Sequence, residues 1–270
     1  MDEGLRRAAR WSEDGSPFVC VTVTSTGGST PRLQGAQMWV SEREQVGTIG
    51  GGAFEHLAVQ EARALLKAPR DRLTAELSAH LTHELGMCCG GKMSAFLRRH
   101  LSATPLYLFG AGHVGSALAQ HLQLLSTVQL IVVDERPEWA DSARLPEGVQ
   151  VIQEEPEAWL RLSPLPAGAS ALVMTHDHQL DERLMSLLLK QLARDELIFL
   201  GMIGSAGKWG RFKRRLKERG ASEEALERVR CPVGLAIGAQ TPHEIAISVC
   251  AELIQTLRQP QGAPNTSQQA

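Results

Sequence analysis

The chain has 270 residues, of which 43% are hydrophobic, enough for one large domain or two ordinary ones with a packed core. Its 28 basic and 30 acidic residues give a formal net charge of -2, so composition indicates neither a nucleic acid nor an anionic membrane surface as a partner. The polar N-terminus lacks the apolar core of a signal peptide, and no apolar run approaches the roughly 20 residues of a membrane span, so we expect a cytoplasmic protein.

The first hundred residues predict an α+β domain. The expected elements, in chain order, are a helix at 3–13, strands at 18–24, 38–40 and 46–49, and a helix at 57–66. Gly50, Gly51 and Gly52 precede the second helix, where they either present backbone N–H groups to an anion or permit a tight turn. Glu55 is either a polar contact at this loop or an acid that complements the helix dipole.

A pair of adjacent thiols stands out in the sequence Cys88-Cys89-Gly90-Gly91. Adjacent cysteines close only a strained ring, which disfavours a structural disulfide, whereas thiolates are soft metal ligands and good nucleophiles. The alternative is that they are small buried hydrophobes. The two glycines favour a close approach of backbone to a ligand. The chain has only five cysteines, an odd number, which fits reduced thiols better than a disulfide framework.

A domain boundary is expected after this motif. A strand is predicted at 92–97 and a polar connection at 98–104, so we assign a first domain to residues 1–100 and a second to residues 101–258. Residues 259–270 are rich in Gln, Pro, Ser and Asn and predict a disordered tail.

The second domain begins with a dinucleotide-binding pattern. An apolar strand at 105–109 runs into Gly110, Gly112 and Gly115, a helix follows, and a strand at 128–133 ends at Asp134. Such glycines permit a tight turn, approach to a pyrophosphate and helix–strand packing, and the acid is placed for a ribose hydroxyl. Further strands at 149–152, 171–174 and 197–200 then predict a Rossmann-like, doubly wound parallel sheet.

Ligands of such sheets bind beyond the carboxyl ends of the strands. His176, Asp177 and His178 follow the fourth strand and either bind a metal or handle protons; without a recognisable third ligand, substrate contact or structural hydrogen bonding is favoured. The segment 201–205 follows the fifth strand and opens a basic helix at 208–219. It is a second candidate anion cradle, or else a helix cap with a solvated basic face. We interpret the segment 231–234 as a tight, rigid connection.

Taken together, these motifs resemble the XdhC/CoxI family of accessory proteins, which mature xanthine dehydrogenase and related molybdenum hydroxylases. The resemblance spans nearly the whole chain. The motifs that carry it are Thr26–Arg32, Gly47–Gly52 with Glu55, Leu85–Gly91, Phe109–Gly115, Val132–Pro137, Thr175–His178, Gly201–Ser205 with Lys208, and Arg230–Gly234.

The resemblance implies a protein that binds the molybdenum cofactor in its molybdopterin form, supports its sulfuration and delivers it to a hydroxylase. It implies xanthine dehydrogenase or a related enzyme and a sulfurtransferase of the cysteine desulfurase type as partners, a homo-oligomer such as a dimer, and a carrier rather than a catalyst. The implied cofactor-binding residues are Gly50, Gly51, Gly52, Glu55, Cys88, Cys89, Gly90, Gly91, Gly110, Gly112, His113, Val114, Gly115, Asp134, Arg136, His176, Asp177, His178, Gly204, Ser205 and Lys208. Cys88 and Cys89 are also candidate molybdenum contacts.

The competing hypothesis is an NAD(P)-dependent oxidoreductase that uses the Rossmann-like half, which also leaves open a nucleotide bound there. Against it, Tyr107 is the only tyrosine and lies inside the first strand of that half, so the sequence offers no Tyr-x-x-x-Lys proton relay. A third hypothesis is a nucleotide-sensing module that changes partner affinity without chemistry.

Overall fold

The computed structural model describes residues 3–28, 34–81, 91–125, 127–141 and 143–258. The chain divides after Ser102 into two compact units. Within the described ranges, no helix combines the length and the apolar character that crossing a membrane requires.

Unit 1 is an antiparallel sheet with helices. Its elements are α1 (Glu3–Glu13), β1 (Phe18–Gly27), β2 (Gln37–Val40), β3 (Gln45–Gly47), α2 (Gly52–Lys67), β4 (Thr74–His80) and β5 (Lys92–His100). The strand order is β3-β2-β1-β5-β4. Side chains along β1 alternate between the two faces of the sheet. Val19, Val21 and Val23 pack in one core with α2, while Phe18 packs with Trp11 of α1.

Strand β5 corrects the prediction that 98–104 is a polar connection. Arg98 pairs with Cys20 of β1 and with Thr74 of β4, so β5 runs to His100 as the second strand from the edge. The Arg99 guanidinium donates to the carbonyls of Leu66 and Ala68 at 2.7 and 2.8 Å. A basic side chain there satisfies the last carbonyls of α2 and complements the negative end of its dipole.

Unit 2 alternates strands and helices. Its elements are β6 (Thr104–Phe109), α3 (His113–Leu122), β7 (Val128–Val133), β8 (Gln150–Ile152), α4 (Pro156–Leu162), β9 (Ala169–Val173), α5 (His178–Leu192), β10 (Leu197–Met202), α6 (Ala206–Glu218), α7 (Glu223–Arg228) and α8 (Pro242–Arg258). The strand order is β10-β9-β6-β7-β8, and every pair is parallel. The strand order therefore switches direction between β6 and β9, where the rule for open α/β sheets places a ligand.

Helices cover both faces of this sheet. One core holds side chains of α4 to α7, such as Leu184 and Phe212, and the other holds side chains of α3 and α8, such as Leu118 and Val249. The predicted fold class, an α+β unit followed by a Rossmann-like doubly wound sheet, is confirmed.

A short extended segment continues the sheet beyond β10. The N–H of Arg230 donates to Leu200 O, and the N–H of Met202 donates to Arg230 O, both at 2.9 Å. Gly201 and Arg230 form an isolated parallel bridge. Arg230 thus occupies a sixth strand position next to β10, directly before the predicted connection at 231–234.

Candidate functional site

The three glycines after β6 have different structural roles. Gly110 has a φ of +105°, and a Cβ there would lie 2.4 Å from Met174 O. A Cβ on Gly115 would lie 2.3 Å from Gly110 O. Both glycines are therefore required by close backbone packing. Gly112 has an ordinary φ of -57°, and nothing lies within 4 Å of a Cβ built on it. It borders open space at the N-terminus of α3.

Helix α3 begins without a side-chain cap: Gly112 is its N-cap residue and offers no side-chain acceptor. In contrast, Asp177 accepts the N–H of Gln179 at 2.8 Å at the start of α5, and Ser205 accepts the N–H of Lys208 at 3.2 Å at the start of α6. The first N–H groups of a helix have no partner within the helix. Those of α3 are thus the better placed to bind an anion.

Asp134 is bound by groups of its own chain. The residue is 3% exposed, and its carboxylate accepts the N–H of Ala111 at 2.7 Å, together with the backbone N–H and the guanidinium of Arg136. Burial raises the pKa of the Asp134 carboxyl, but Arg136 and the Ala111 N–H outweigh it and lower the pKa below its ordinary value. Asp134 therefore holds the glycine loop in place as an ionised carboxylate.

Aromatic and basic side chains lie beside this loop. The exposed ring of His113 meets the edge of Trp139 at a centroid distance of 4.9 Å, and the guanidinium of Arg136 lies 5.5 Å from the same indole. Val114 is partly buried against the core that α3 shares with α8. His113 is thus the side chain of the loop most open to a ligand.

The histidines after β9 lie at the surface. His176 and His178 are exposed, and Asp177 caps α5. Thr175 turns inward, where its N–H and hydroxyl donate to Asp181 Oδ1 at 3.1 and 2.7 Å. Asp181, which the predicted site does not include, thereby fixes the start of this loop.

Lys208 is buried in an ion pair. Its ammonium lies 2.7 Å from Asp181 Oδ2 and 3.3 Å from Ile203 O, and its side chain is 9% exposed. A Cβ on Gly204 would lie 2.8 Å from the Lys208 stem, so the glycine allows that stem to lie against the loop. Lys208 and Asp181 therefore tie the loop after β9 to the loop after β10.

In unit 1, Glu55 organises the triple-glycine loop. Its carboxylate accepts the N–H groups of Ile49 and Gly51 at 2.9 Å and the hydroxyl of Thr48, and the N–H of Gly50 donates to Thr48 Oγ1 at 3.1 Å. Burial raises the pKa of Glu55, but these donors lower it below its ordinary value. Gly50, Gly51 and Gly52 all have positive φ values, as a tight turn into α2 requires.

Part of the thiol motif lies outside the described residues: Cys88, Cys89 and Gly90 do so, as does 29–33 of the earlier loop. Gly91 is described, and its carbonyl accepts the N–H of Leu81 at 2.9 Å. Among the described residues, no group of three or more His, Cys, Asp or Glu is arranged to hold a metal ion.

The carboxyl edge of the parallel sheet therefore brings together four of the predicted clusters: 110–115, 134–136, 176–178 and 204–208. A Cβ on Gly110 would lie 2.9 Å from Thr175 Cα, and the N–H of Ile203 donates to Val173 O at 3.0 Å, so the three central loops are contiguous. The Gly50–Gly52 cluster with Glu55 belongs to unit 1.

Asp181 was not among the predicted site residues, although the helical spacing of Leu184, Met185 and Leu188 predicts that it is buried.

Two family models match the chain. The XdhC Rossmann domain model matches residues 106–253, and the XdhC and CoxI family model matches residues 11–76. A crystal structure of a xanthine dehydrogenase from Bacillus halodurans superposes with a TM-score of 0.55 over 99% of both chains, at 22% identity, which supports the fold.

Three relatives share substantial sequence. Uncharacterized protein YqeB of Escherichia coli (strain K12) is 34% identical over 92% of this chain and 45% of its own length. A probable xanthine dehydrogenase subunit of Bacillus subtilis (strain 168) is 36% identical over 60% of this chain and 45% of its own length, so the chain spans about half of each of these two. Molybdenum cofactor insertion chaperone PaoD of Escherichia coli (strain K12) is 29% identical over 92% of this chain and 86% of its own length. Because the Rossmann model alone covers more than half of the chain, the chain belongs to the XdhC and CoxI family.

Proposed function

We propose that this protein binds the molybdenum cofactor in its molybdopterin form, supports its sulfuration and delivers it to xanthine dehydrogenase or a related molybdenum hydroxylase. Two names support the proposal: one relative is an insertion chaperone for this cofactor, and another is a probable xanthine dehydrogenase subunit. The structural observation that carries it is the open N-terminus of α3 at Gly112, at the switch point of the sheet.

That opening suits the terminal phosphate of a pterin cofactor. Backbone N–H groups at a helix N-terminus point outward, and the helix dipole favours negative charge there. The N–H of Ala111 donates to Asp134 Oδ2 at 2.7 Å, so the loop is ordered before a ligand binds. A pre-ordered loop loses little conformational entropy on binding.

The remaining assignments follow from side-chain chemistry. The exposed imidazoles of His176 and His178 supply hydrogen-bonding groups for the pterin ring at the same edge of the sheet. Cys88 and Cys89 supply soft sulfur for the molybdenum. The sulfurtransferase, the recipient hydroxylase and a second copy of the chain are the proposed partners.

The oxidoreductase alternative has less support. An NAD-binding site uses the acid at the end of the second strand for ribose hydroxyls, whereas Asp134 accepts Ala111 N–H and three donors of Arg136. Tyr107 is half-buried in β6, where its ring lies 5.8 Å from that of Trp159. Both residues thus have partners within their own unit.

Gly112→Val tests the proposal. The valine side chain fills space that is open in the structure, so the variant should fold like the parent and lose bound molybdenum and pterin. Gly210→Val is the matched control, since Gly210 is exposed on α6 with nothing within 4 Å of its Cβ position.

The readouts are the molybdenum and pterin content of the purified protein and the activation of apo hydroxylase on mixing. If a folded Gly112→Val variant kept its full cofactor content, the glycine loop would not be the cofactor site and the Rossmann-like unit would serve only as a scaffold. Failure of the loaded parent to activate the hydroxylase, together with steady nicotinamide turnover, would favour the oxidoreductase instead.

A further inference from the structure

A cavity of about 610 Å³ lies along the outer side of the extended segment at Arg230. Its lining comes from α6, α7, the extended segment and α8. This volume is in the range of sites that hold a whole small molecule rather than a single ion. The glycine loop and the histidines of the candidate site do not line it.

An arginine at this cavity has unused donors. The Arg230 Nε lies 3.6 Å from Glu252 Oε1, beyond hydrogen-bond distance, and no hydrogen bond is seen from the Arg230 guanidinium to a described residue. Glu252 is fixed in turn by the N–H of Gly234, at 2.7 Å from Oε2. A Cβ on Gly234 would lie 2.3 Å from Ser248 Oγ, so only glycine permits this approach. The buried carboxylate thus orients the guanidinium, whose donors stay available to a ligand.

The other lining groups differ in character. Lys213 and Trp209 are one turn apart on α6 and both are partly buried. Glu227 contributes an exposed carboxylate from α7. Burial raises the pKa of the Cys231 thiol to about 11, so this wall is a neutral, polarizable surface rather than a thiolate. The cavity therefore combines two cations, an indole, a thiol and two carboxylates, of which Glu252 lies beside Arg230 and Glu227 is exposed.

We propose that this cavity binds a flat nitrogen heterocycle that carries an oxyanion. The oxyanion binds the donors of Arg230 and Lys213, because guanidinium groups match carboxylate and phosphate geometry. The ring packs on Trp209, and its N–H groups donate to Glu227. The inference rests on the cavity alone and does not require the proposed function.

The test uses pterin-6-carboxylate, a fluorescent ring with one carboxylate, titrated into the full chain and followed by fluorescence anisotropy. Lys213→Gln should weaken binding about tenfold, the value expected for a lost charge-assisted hydrogen bond. Arg230→Gln combined with Glu252→Gln should weaken it at least as much, without leaving a buried charge unpaired. Arg214→Gln, on the same helix but outside the lining, is the matched control and should bind normally.

Gly112→Val should also bind the probe normally, which separates this cavity from the glycine-loop site; loss of probe binding in Gly112→Val would place the probe at the glycine loop and overturn the inference. A parent protein that does not bind the probe would overturn the inference. Equal binding by the parent, Lys213→Gln and the double variant would do the same.

Discussion

Asp181→Asn should destabilise unit 2 strongly, because it leaves the Lys208 ammonium buried without its counter-charge. The side chains of Lys208 and Asp181 are 9% and 0% exposed, and their charged atoms are 2.7 Å apart. After the substitution, the ammonium keeps Ile203 O, at 3.3 Å, as a neutral acceptor. Lys208→Met has the converse effect, since Asp181 keeps its donors from Thr175 and the exposed His178 ring at 3.8 Å but loses the buried ammonium.

Breaking a buried pair in this way costs about 3–5 kcal/mol of unfolding free energy. For a unit of this size, each kcal/mol lowers Tm by about 2–4 °C, so each single variant should melt about 6–20 °C below the parent. The double variant Asp181→Asn/Lys208→Met removes both charges and should be clearly more stable than the sum of the two losses predicts.

Thermal unfolding followed by circular dichroism measures these differences. The control is the exposed pair of Lys217 and Glu223, which are 2.6 Å apart but 56% and 58% exposed, and Lys217→Met should leave Tm nearly unchanged. If each single variant lowered Tm no more than the control does, or if the losses in the double variant were strictly additive, burial would not be what makes this ion pair stabilising.

Two further predictions concern the glycine loop. Gly115→Ala places a Cβ 2.3 Å from Gly110 O and should cost about 1–3 kcal/mol in urea unfolding, whereas Gly210→Ala on α6 should stabilise by about 0.5–1 kcal/mol; equal effects would contradict the packing role of Gly115. The lowered pKa of Asp134 means that its stabilisation is present above its ordinary value of 3.8 and is lost as pH falls through its lower folded value. Asp134→Asn should therefore be less stable than the parent at neutral pH, with the difference shrinking in acid; a constant difference in urea midpoint across pH would exclude this linkage.

The sequence predicted those elements whose residues are set by local rules. The helix at Glu3–Glu13 and the strand at Val128–Val133 have the predicted bounds, because amphipathic spacing and β-branched runs define them locally. Thr241 caps α8 by a similarly local rule, since it directly precedes Pro242 and its hydroxyl accepts the N–H of Glu244 at 3.3 Å.

Elements set by partners distant in sequence were not predicted. No strand was expected at Thr74–His80, where β4 is an edge strand with largely exposed side chains and depends on pairing with β5. The basic end of β5 was predicted as a connection because its residues are polar. In the structure these residues pair with β1, and Arg99 donates to a carbonyl at the end of α2. In both cases the determining contact lies far away along the chain.

The charge pair at the sheet edge illustrates a signal that was present but not used. Lys208, Phe212 and Leu216 repeat at helical spacing on the buried face of α6, as Asp181 does with Leu184 on α5. A charged residue in an apolar stripe requires a buried partner of opposite sign. The same reasoning reassigns Lys208 from a ligand contact to a residue that positions the loops.

Asp134 shows how the same pattern can serve a different site. The strand, the glycines and the acid have the spacing of a dinucleotide site, yet the acid uses its acceptors on Ala111 and Arg136. A carboxylate occupied in this way stiffens the glycine loop while leaving the N-terminus of α3 open at Gly112. The loop thus has the open helix N-terminus that the proposed phosphate binding requires, while its acid is engaged by groups of its own chain. A carrier that held its cargo by a terminal phosphate would need only the open N-terminus.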